Sequence, residues 1–131
     1  MFDRINKSFE KQSFMKLLGA ELKEVEEGYC VIALDKRDDL SQQAGFVHAG
    51  VLTSIVDSAC GYAALTMMPA DKEVVSSEFK VNLLRPAVGS RFEARARVLK
   101  AGSRVVVVEG EIIDLDSNKL VLKMLASMMP V

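Results

Sequence analysis

Residues 48–68 restrict the fold more than any other part of the chain, because they form a long run of apolar and small side chains. The apolar positions recur at steps of three and four residues: Leu52, Ile55, Val56, Ala59 and Ala63. This period predicts a helix from His48 to Met68, five to six turns long, which Pro69 ends. Asp57 is the one charged side chain between Asp39 and Asp71, although 27% of the chain is charged.

The flanking segments predict what surrounds this helix. Residues 1–19 have apolar side chains at helical spacing, which indicates one or two short amphipathic helices ending at Gly19. Residues 20–26 and 29–34 read as two strands joined by a turn at Glu27 and Gly28. After Asp71 the period drops to two, which predicts four half-buried strands; in the first, Phe79, Val81 and Leu83 share the apolar face.

Short turns between these strands predict an antiparallel meander with one apolar face, which the long helix must cover. We therefore expect an α+β protein with the hotdog fold. Its antiparallel sheet would wrap around one long central helix, and an N-terminal helical cap would precede it. At 131 residues, a single domain over 1–131 is expected.

Composition argues against several functions. The net charge is −1 and no basic run stands out, so nucleic acid is not an expected partner. The N-terminus is interrupted by charges and no window is apolar enough to span a membrane, so a cytoplasmic protein with no membrane partner is expected. Cys30 and Cys60 are not clustered with the single histidine. They predict buried thiols, with neither a metal site nor a disulfide framework.

The isolated carboxylate of Asp57 has two interpretations. It could lie on a solvated stripe with Thr53 and Ser58, as on an ordinary surface helix. In a helix enclosed by a sheet, however, an unpaired buried carboxylate costs several kcal/mol and usually marks a site. Gly61 lies on the same face and would let a second helix or a ligand approach closely. Glycine costs about 1 kcal/mol in a helix relative to alanine, and close packing is the favoured reason for it.

His48 and Asp57 cannot form an acid–base pair within one chain. Nine residues of helix separate them by about 13 Å along the axis and place them on opposite faces. If both serve one site, the carboxylate must come from a second copy related by a two-fold axis, which gives two equivalent sites per dimer. The first backbone N–H groups of the helix, after His48, are unpaired donors that suit an oxyanion. A histidine at this place is more often a helix cap.

Three stretches together resemble the hotdog-fold acyl-CoA thioesterases, particularly the phenylacetate-pathway, PaaI-like type. They are QQAGFVHAGVLTSIVDSACG (42–61), SSEFKVNLLRPA (76–87) and FEARARVLKAGSRVVVVEGEI (92–112). The resemblance implies hydrolysis of an acyl-CoA to a carboxylic acid and free CoA. It also implies a homodimer that pairs into a homotetramer, with no metal or other cofactor.

The resemblance also implies residue roles. Asp57 would act as general base or nucleophile. Gln42 would orient water or the thioester, and His48 would position the thioester. The N–H of Ala49 would bind the oxyanion at the start of the helix. Gly50 belongs to the same substrate-binding helix start. Relatives carry HGG where this chain has HAG, so Ala49 adds a methyl group beside the oxyanion.

Two positions, Ser76 and Arg85, each have two interpretations. The resemblance matches Ser76 to a serine or threonine that touches substrate or water, whereas strand alternation puts Ser77 on the apolar face with Phe79. Arg85 is as consistent with a solvated strand end as with a contact to CoA phosphate.

Two other functions fit parts of the pattern. A non-enzymatic protein that binds acyl-CoA would keep the pocket without turnover. A hotdog-fold enoyl hydratase or dehydratase would also use a histidine and a helix carboxylate, but at a longer spacing than in this chain.

Overall fold

The computed structural model describes residues 1–131. The helices are α1 (Phe2–Glu10), α2 (Ser13–Leu18) and α3 (Ala49–Leu65), with a 3-10 turn at Asp38–Leu40. The strands are β1 (Glu21–Glu26), β2 (Tyr29–Asp35), β3 (Val74–Leu83), β4 (Arg91–Ala101), β5 (Val106–Asp114) and β6 (Lys119–Pro130). The predicted order of helix cap, hairpin, long helix and four strands is confirmed.

One antiparallel sheet contains all six strands in the order β1-β2-β4-β5-β6-β3. The sheet wraps around α3, and the predicted hotdog arrangement is confirmed. The four-strand meander is wrong in one respect, because β3 pairs with β6 at the far edge and only β4, β5 and β6 follow one another. After β3, the N–H groups of Leu84 and Arg85 both donate to the carbonyl of Val121 in β6. Pro86 then prevents the strand from continuing, and the chain crosses to β4.

The core lies between α3 and the sheet. The buried side chains of α3 include Leu52, Ile55, Val56 and Ala59. Gly110 in β5 faces the helix, and a Cβ there would lie 2.6 Å from Val56 Cγ2 and 2.7 Å from Cys60 Sγ. The missing side chain at Gly110 therefore lets α3 lie directly on β5.

Helix α3 is shorter than predicted. It has 17 residues, fewer than five turns, and begins at Ala49 with His48 as its N-cap. At the other end, the hydroxyl of Thr66 donates to the carbonyl of Ala63 and accepts the N–H of Gly28. Thr66 thereby ends the helix before the predicted stop at Pro69 is reached.

The N-terminal helices dock on the C-terminal end of α3. The guanidinium of Arg4 donates to four backbone carbonyls there: Leu65, Met68, Pro69 and Lys72. Gly19 ends α2 in the left-handed conformation, as predicted, with a φ of 75°. Arg4 thus joins the N-terminal cap to the segment that leads into β3.

The prediction that β3 is half-buried is wrong for this chain. Phe79 and Leu83 are 45% and 58% exposed, since β3 is an edge strand. Of its apolar side chains, Val74 and Val81 pack against the core. Both cysteines are buried free thiols, as predicted. Burial raises the pKa of the Cys30 thiol to about 12. No helix combines the length and the apolar character that crossing a membrane requires.

Candidate active site

The carboxylate of Asp57 lies half-buried on the side of α3 that faces β3. The hydroxyl of Ser76 donates to Asp57 Oδ1 at 2.6 Å, so the carboxylate has a hydrogen-bond partner within its own chain. Oδ2 accepts no hydrogen bond within the chain. A short bond to a charged acceptor fixes the orientation of the carboxylate and leaves its second oxygen free to accept a proton.

Ser76, and not Ser77, faces Asp57. Strand alternation fails here because a β-bulge interrupts the β3–β6 register between Ser76 and Glu78. A bulge inserts an extra residue and changes which side chains share a face. The hydroxyl of Ser77 instead donates to the carbonyl of Ser127 in β6. The serine that contacts Asp57 is therefore the one indicated by the resemblance, and not the one indicated by strand alternation.

Asp57 opens into a cavity of about 510 Å³, which we call the carboxylate cavity. Its lining comes from α1, α3, β6, the α1–α2 junction and the start of β3: Ser8, Gln12, Asp57, Ser58, Gly61, Tyr62, Glu73, Val74, Val75, Ser76 and Met128. At its far end, Gln12 Nε2 donates to the hydroxyl of Tyr62 at 2.6 Å. The cavity thus runs along α3 from the carboxylate to the N-terminal helices.

His48 caps the start of α3. Its Nδ1 accepts the N–H of Gly50 at 2.8 Å, which confirms the capping interpretation. In the neutral imidazole the proton is then on Nε2. The N–H of Gly50 is occupied by this bond and is not available to a ligand in this conformation.

The N–H of Ala49 is the unpaired donor at this helix start. It donates to no acceptor in the chain, while its carbonyl accepts the hydroxyl of Thr53 at 2.8 Å. The first turn of a helix carries a partial positive charge, which strengthens this donor toward an anionic oxygen. One of the two predicted backbone donors is therefore free.

Gln42 lies in the turn before α3, close to Ala49. Its Oε1 accepts the N–H groups of Ala44 and Phe46, which leaves its Nε2 free to donate. Gln42 and Ala49 line a second cavity of about 380 Å³, which we call the amide cavity. Its other walls are Phe46, Val47, Leu52, Leu83, Leu84, Arg85, Pro86, Ala87 and Val121. Two hydrogen-bond donors therefore face a mostly apolar groove.

Four of the predicted site residues line two separate cavities within one chain, whereas His48 and Gly50 line neither cavity. Asp57 and Ser76 line the carboxylate cavity, Gln42 and Ala49 line the amide cavity, and the two cavities share no lining residue. Along α3, Ala49 and Asp57 are about 12 Å apart at 1.5 Å per residue. No single chain brings the carboxylate to the free N–H of Ala49.

Gln12 and Tyr62 close the carboxylate cavity, and the sequence carries no signal for either role. They are 50 positions apart and follow no motif, so only the docking of α1 and α2 brings them together. Arg85 lines the amide cavity, but its Nη1 donates to the carbonyl of Leu120 at 2.6 Å. No cluster of three or more His, Cys, Asp or Glu side chains could hold a metal ion.

This chain is similar to thioesterases in sequence and in fold. The profile of the thioesterase superfamily matches residues 44–121. A thioesterase family protein from Silicibacter pomeroyi is 35% identical, with a TM-score of 0.94 over 98% of this chain and 96% of that one. A mutant of the phenylacetic acid degradation protein PaaI from Thermus thermophilus is 27% identical, with a TM-score of 0.81 over 90% and 98%. The medium/long-chain acyl-CoA thioesterase YigI of Escherichia coli K12 is 26% identical over 76% of this chain and 74% of its own.

Proposed function

This chain belongs to the thioesterase superfamily, as a PaaI-like hotdog protein and a thioester hydrolase; from that premise we propose that it hydrolyses acyl-CoA in active sites built by two copies. The observation that supports this proposal most is that the carboxylate of Asp57 lines one cavity, whereas the free donors of Gln42 and Ala49 belong to residues that line another. The substrate class follows YigI, whose name specifies medium- and long-chain acyl-CoA.

Asp57 performs the proton transfer or the attack. As general base, its free Oδ2 takes a proton from water while the water oxygen attacks the thioester carbonyl carbon. The C–S bond then breaks, and the CoA sulfur takes up the proton to leave as the thiol. As nucleophile, the same oxygen attacks the carbonyl carbon directly, the C–S bond breaks, and the CoA thiolate leaves and takes a proton from water. Water then hydrolyses the resulting anhydride, which releases the carboxylic acid and restores the Asp57 carboxylate. In both cases, the bond from Ser76 keeps the carboxylate oriented.

Ala49 and Gln42 stabilise the carbonyl oxygen as it gains negative charge. The free N–H of Ala49 has the partial charge of the helix start behind it. The amide Nε2 of Gln42 is a second donor and orients the thioester or the water. Gly50 contributes indirectly, because its N–H holds His48, and His48 presents Nε2–H to the substrate.

The second copy supplies the missing half of each site. Two α3 helices that lie antiparallel across a two-fold axis would bring Asp57 of one copy to Ala49 and Gln42 of the other. The exposed apolar side chains of the β3 edge, Phe79 and Leu83, support an interface on this side of the molecule. We further propose that these dimers pair into tetramers in the cytoplasm, and that residues 1–131 act as one domain.

Hydrolysis by the Asp57→Ala variant tests the catalytic role. Thiol release should be measured over short, medium, long and aryl acyl-CoAs with the wild type, Asp57→Ala and Asp57→Asn. Asparagine keeps the acceptor for Ser76 but cannot take the proton, so both variants should lose about a hundredfold or more in kcat/KM. Unchanged hydrolysis in Asp57→Ala would refute the assignment. Tight acyl-CoA binding by the wild type without turnover would identify a binding protein instead.

A further inference from the structure

Gly61 is a buried glycine that the packing of this chain does not require. A Cβ added there would meet only Val74 Cγ1, at 3.6 Å, which is an ordinary van der Waals contact. Gly110 is the opposite case, since a Cβ there would collide with Val56 and Cys60. Because glycine is unfavourable inside a helix, the close-packing explanation expected from the sequence does not account for Gly61.

The space beside Gly61 belongs to the carboxylate cavity. Gly61 follows Asp57 by one helical turn, so it lies about 6 Å further along α3 on the same face. Val74 of β3 forms the opposite wall, and Tyr62 with Gln12 closes the far end. A methyl group at position 61 would therefore fill cavity volume just beyond the carboxylate rather than core volume.

We infer that Gly61 is a specificity-determining residue, which admits acyl groups that are wide within a few bonds of the thioester carbonyl. This inference rests on the proposed function, in which the carbonyl carbon sits at Asp57. The acyl carbons that follow then run along the cavity past Gly61 and the wall formed by Val74. A side chain at position 61 takes up part of the cavity beside the acyl carbons nearest the carbonyl, which hinders a branched acyl group more than a straight chain.

Gly61→Ala tests this with two isomeric substrates, hexanoyl-CoA and tert-butylacetyl-CoA, which carry the same number of acyl carbons in a narrow and a wide shape. The variant should lower kcat/KM for tert-butylacetyl-CoA about tenfold or more relative to hexanoyl-CoA, because one methyl group in a pocket discriminates on this scale. Its Tm should equal or exceed that of the wild type, because alanine is the better helix former. Its oligomeric state should not change.

Gly110→Ala is the matched control, because the same methyl group there strains the core rather than the cavity. It should lower Tm and reduce hydrolysis of both isomers by the same factor. The inference is overturned if Gly61→Ala changes the two isomers equally or changes neither. It is also overturned if the variant dissociates, since Gly61 would then serve a contact between copies. A wild type that hydrolyses no acyl-CoA of the short, medium, long and aryl panel overturns the proposed function, whereas one that hydrolyses members of the panel but not tert-butylacetyl-CoA overturns the inference alone.

Discussion

Gly110→Ala should destabilise the protein by moving α3 off the sheet. The added methyl group would approach Val56 Cγ2 to 2.6 Å and Cys60 Sγ to 2.7 Å, and both side chains are fully buried. Overpacking a core typically costs 1–3 kcal/mol, and two such contacts place this variant at about 2–3 kcal/mol. Unfolding entropy of about 2.1 cal/mol/K per residue then converts this cost into a Tm lower by roughly 7–11 °C.

Differential scanning calorimetry at one fixed protein concentration measures this shift, since the stability of an oligomer depends on concentration. Val56→Ala supplies the internal check, because it removes the nearer of the two obstructing side chains. The double variant should lose at least about 1 kcal/mol less than the sum of the two single variants. Strictly additive losses, or a Tm within about 2 °C of the wild type for Gly110→Ala, would refute the close contact between α3 and β5.

Two further predictions concern the N-terminal cap and the buried thiols. Arg4→Met should lower the free energy of unfolding by about 1–3 kcal/mol in urea titrations, because four carbonyls lose a charged donor. The control Lys7→Met on the same helix should have little effect. Equal effects of the two substitutions would contradict a stabilising role for the Arg4 hydrogen bonds. Burial raises the pKa of both cysteine thiols from 9.0, that of Cys30 to about 12, so the folded chain keeps protons that the unfolded chain releases at high pH. The free energy of unfolding should therefore be insensitive to these thiols below pH 9 and fall by about 1.4 kcal/mol per pH unit for each thiol above it. Replacing both cysteines by alanine should flatten that decline, and an unchanged slope would contradict the shifts.

The long apolar helix and the strand segments could be predicted from sequence because each depends on local periodicity. The order of the strands could not, since β3 and β6 are joined by a pairing of distant segments. Strand alternation puts Ser77, and not Ser76, on the face with Phe79. The rule fails here because a bulge leaves no signal in strand periodicity. The capping role of His48 was predictable, because it involves only Gly50, two residues away.

The candidate site was predictable in its parts and not in its assembly. Asp57 and Ala49 were found from an isolated charge and a helix start, which are local features. The bond from Ser76 to Asp57 and the closure of the cavity by Gln12 and Tyr62 required the tertiary structure. Room for a methyl group at Gly61 could not be read from the sequence either, because glycines that core packing requires and glycines that line a cavity look the same there.

Mixing two inactive variants tests the shared active site most directly. A hybrid dimer contains one Asp57→Ala copy and one Gln42→Ala copy. One of its two sites carries both substitutions. The other site is intact, because it takes Asp57 from the Gln42→Ala copy and Gln42 from the Asp57→Ala copy. Unfolding and refolding a 1:1 mixture should therefore restore about one quarter of wild-type kcat, since half the dimers are hybrids with one good site each. Activity that stays at the mean of the two separate variants would contradict the account and place the whole site within a single chain.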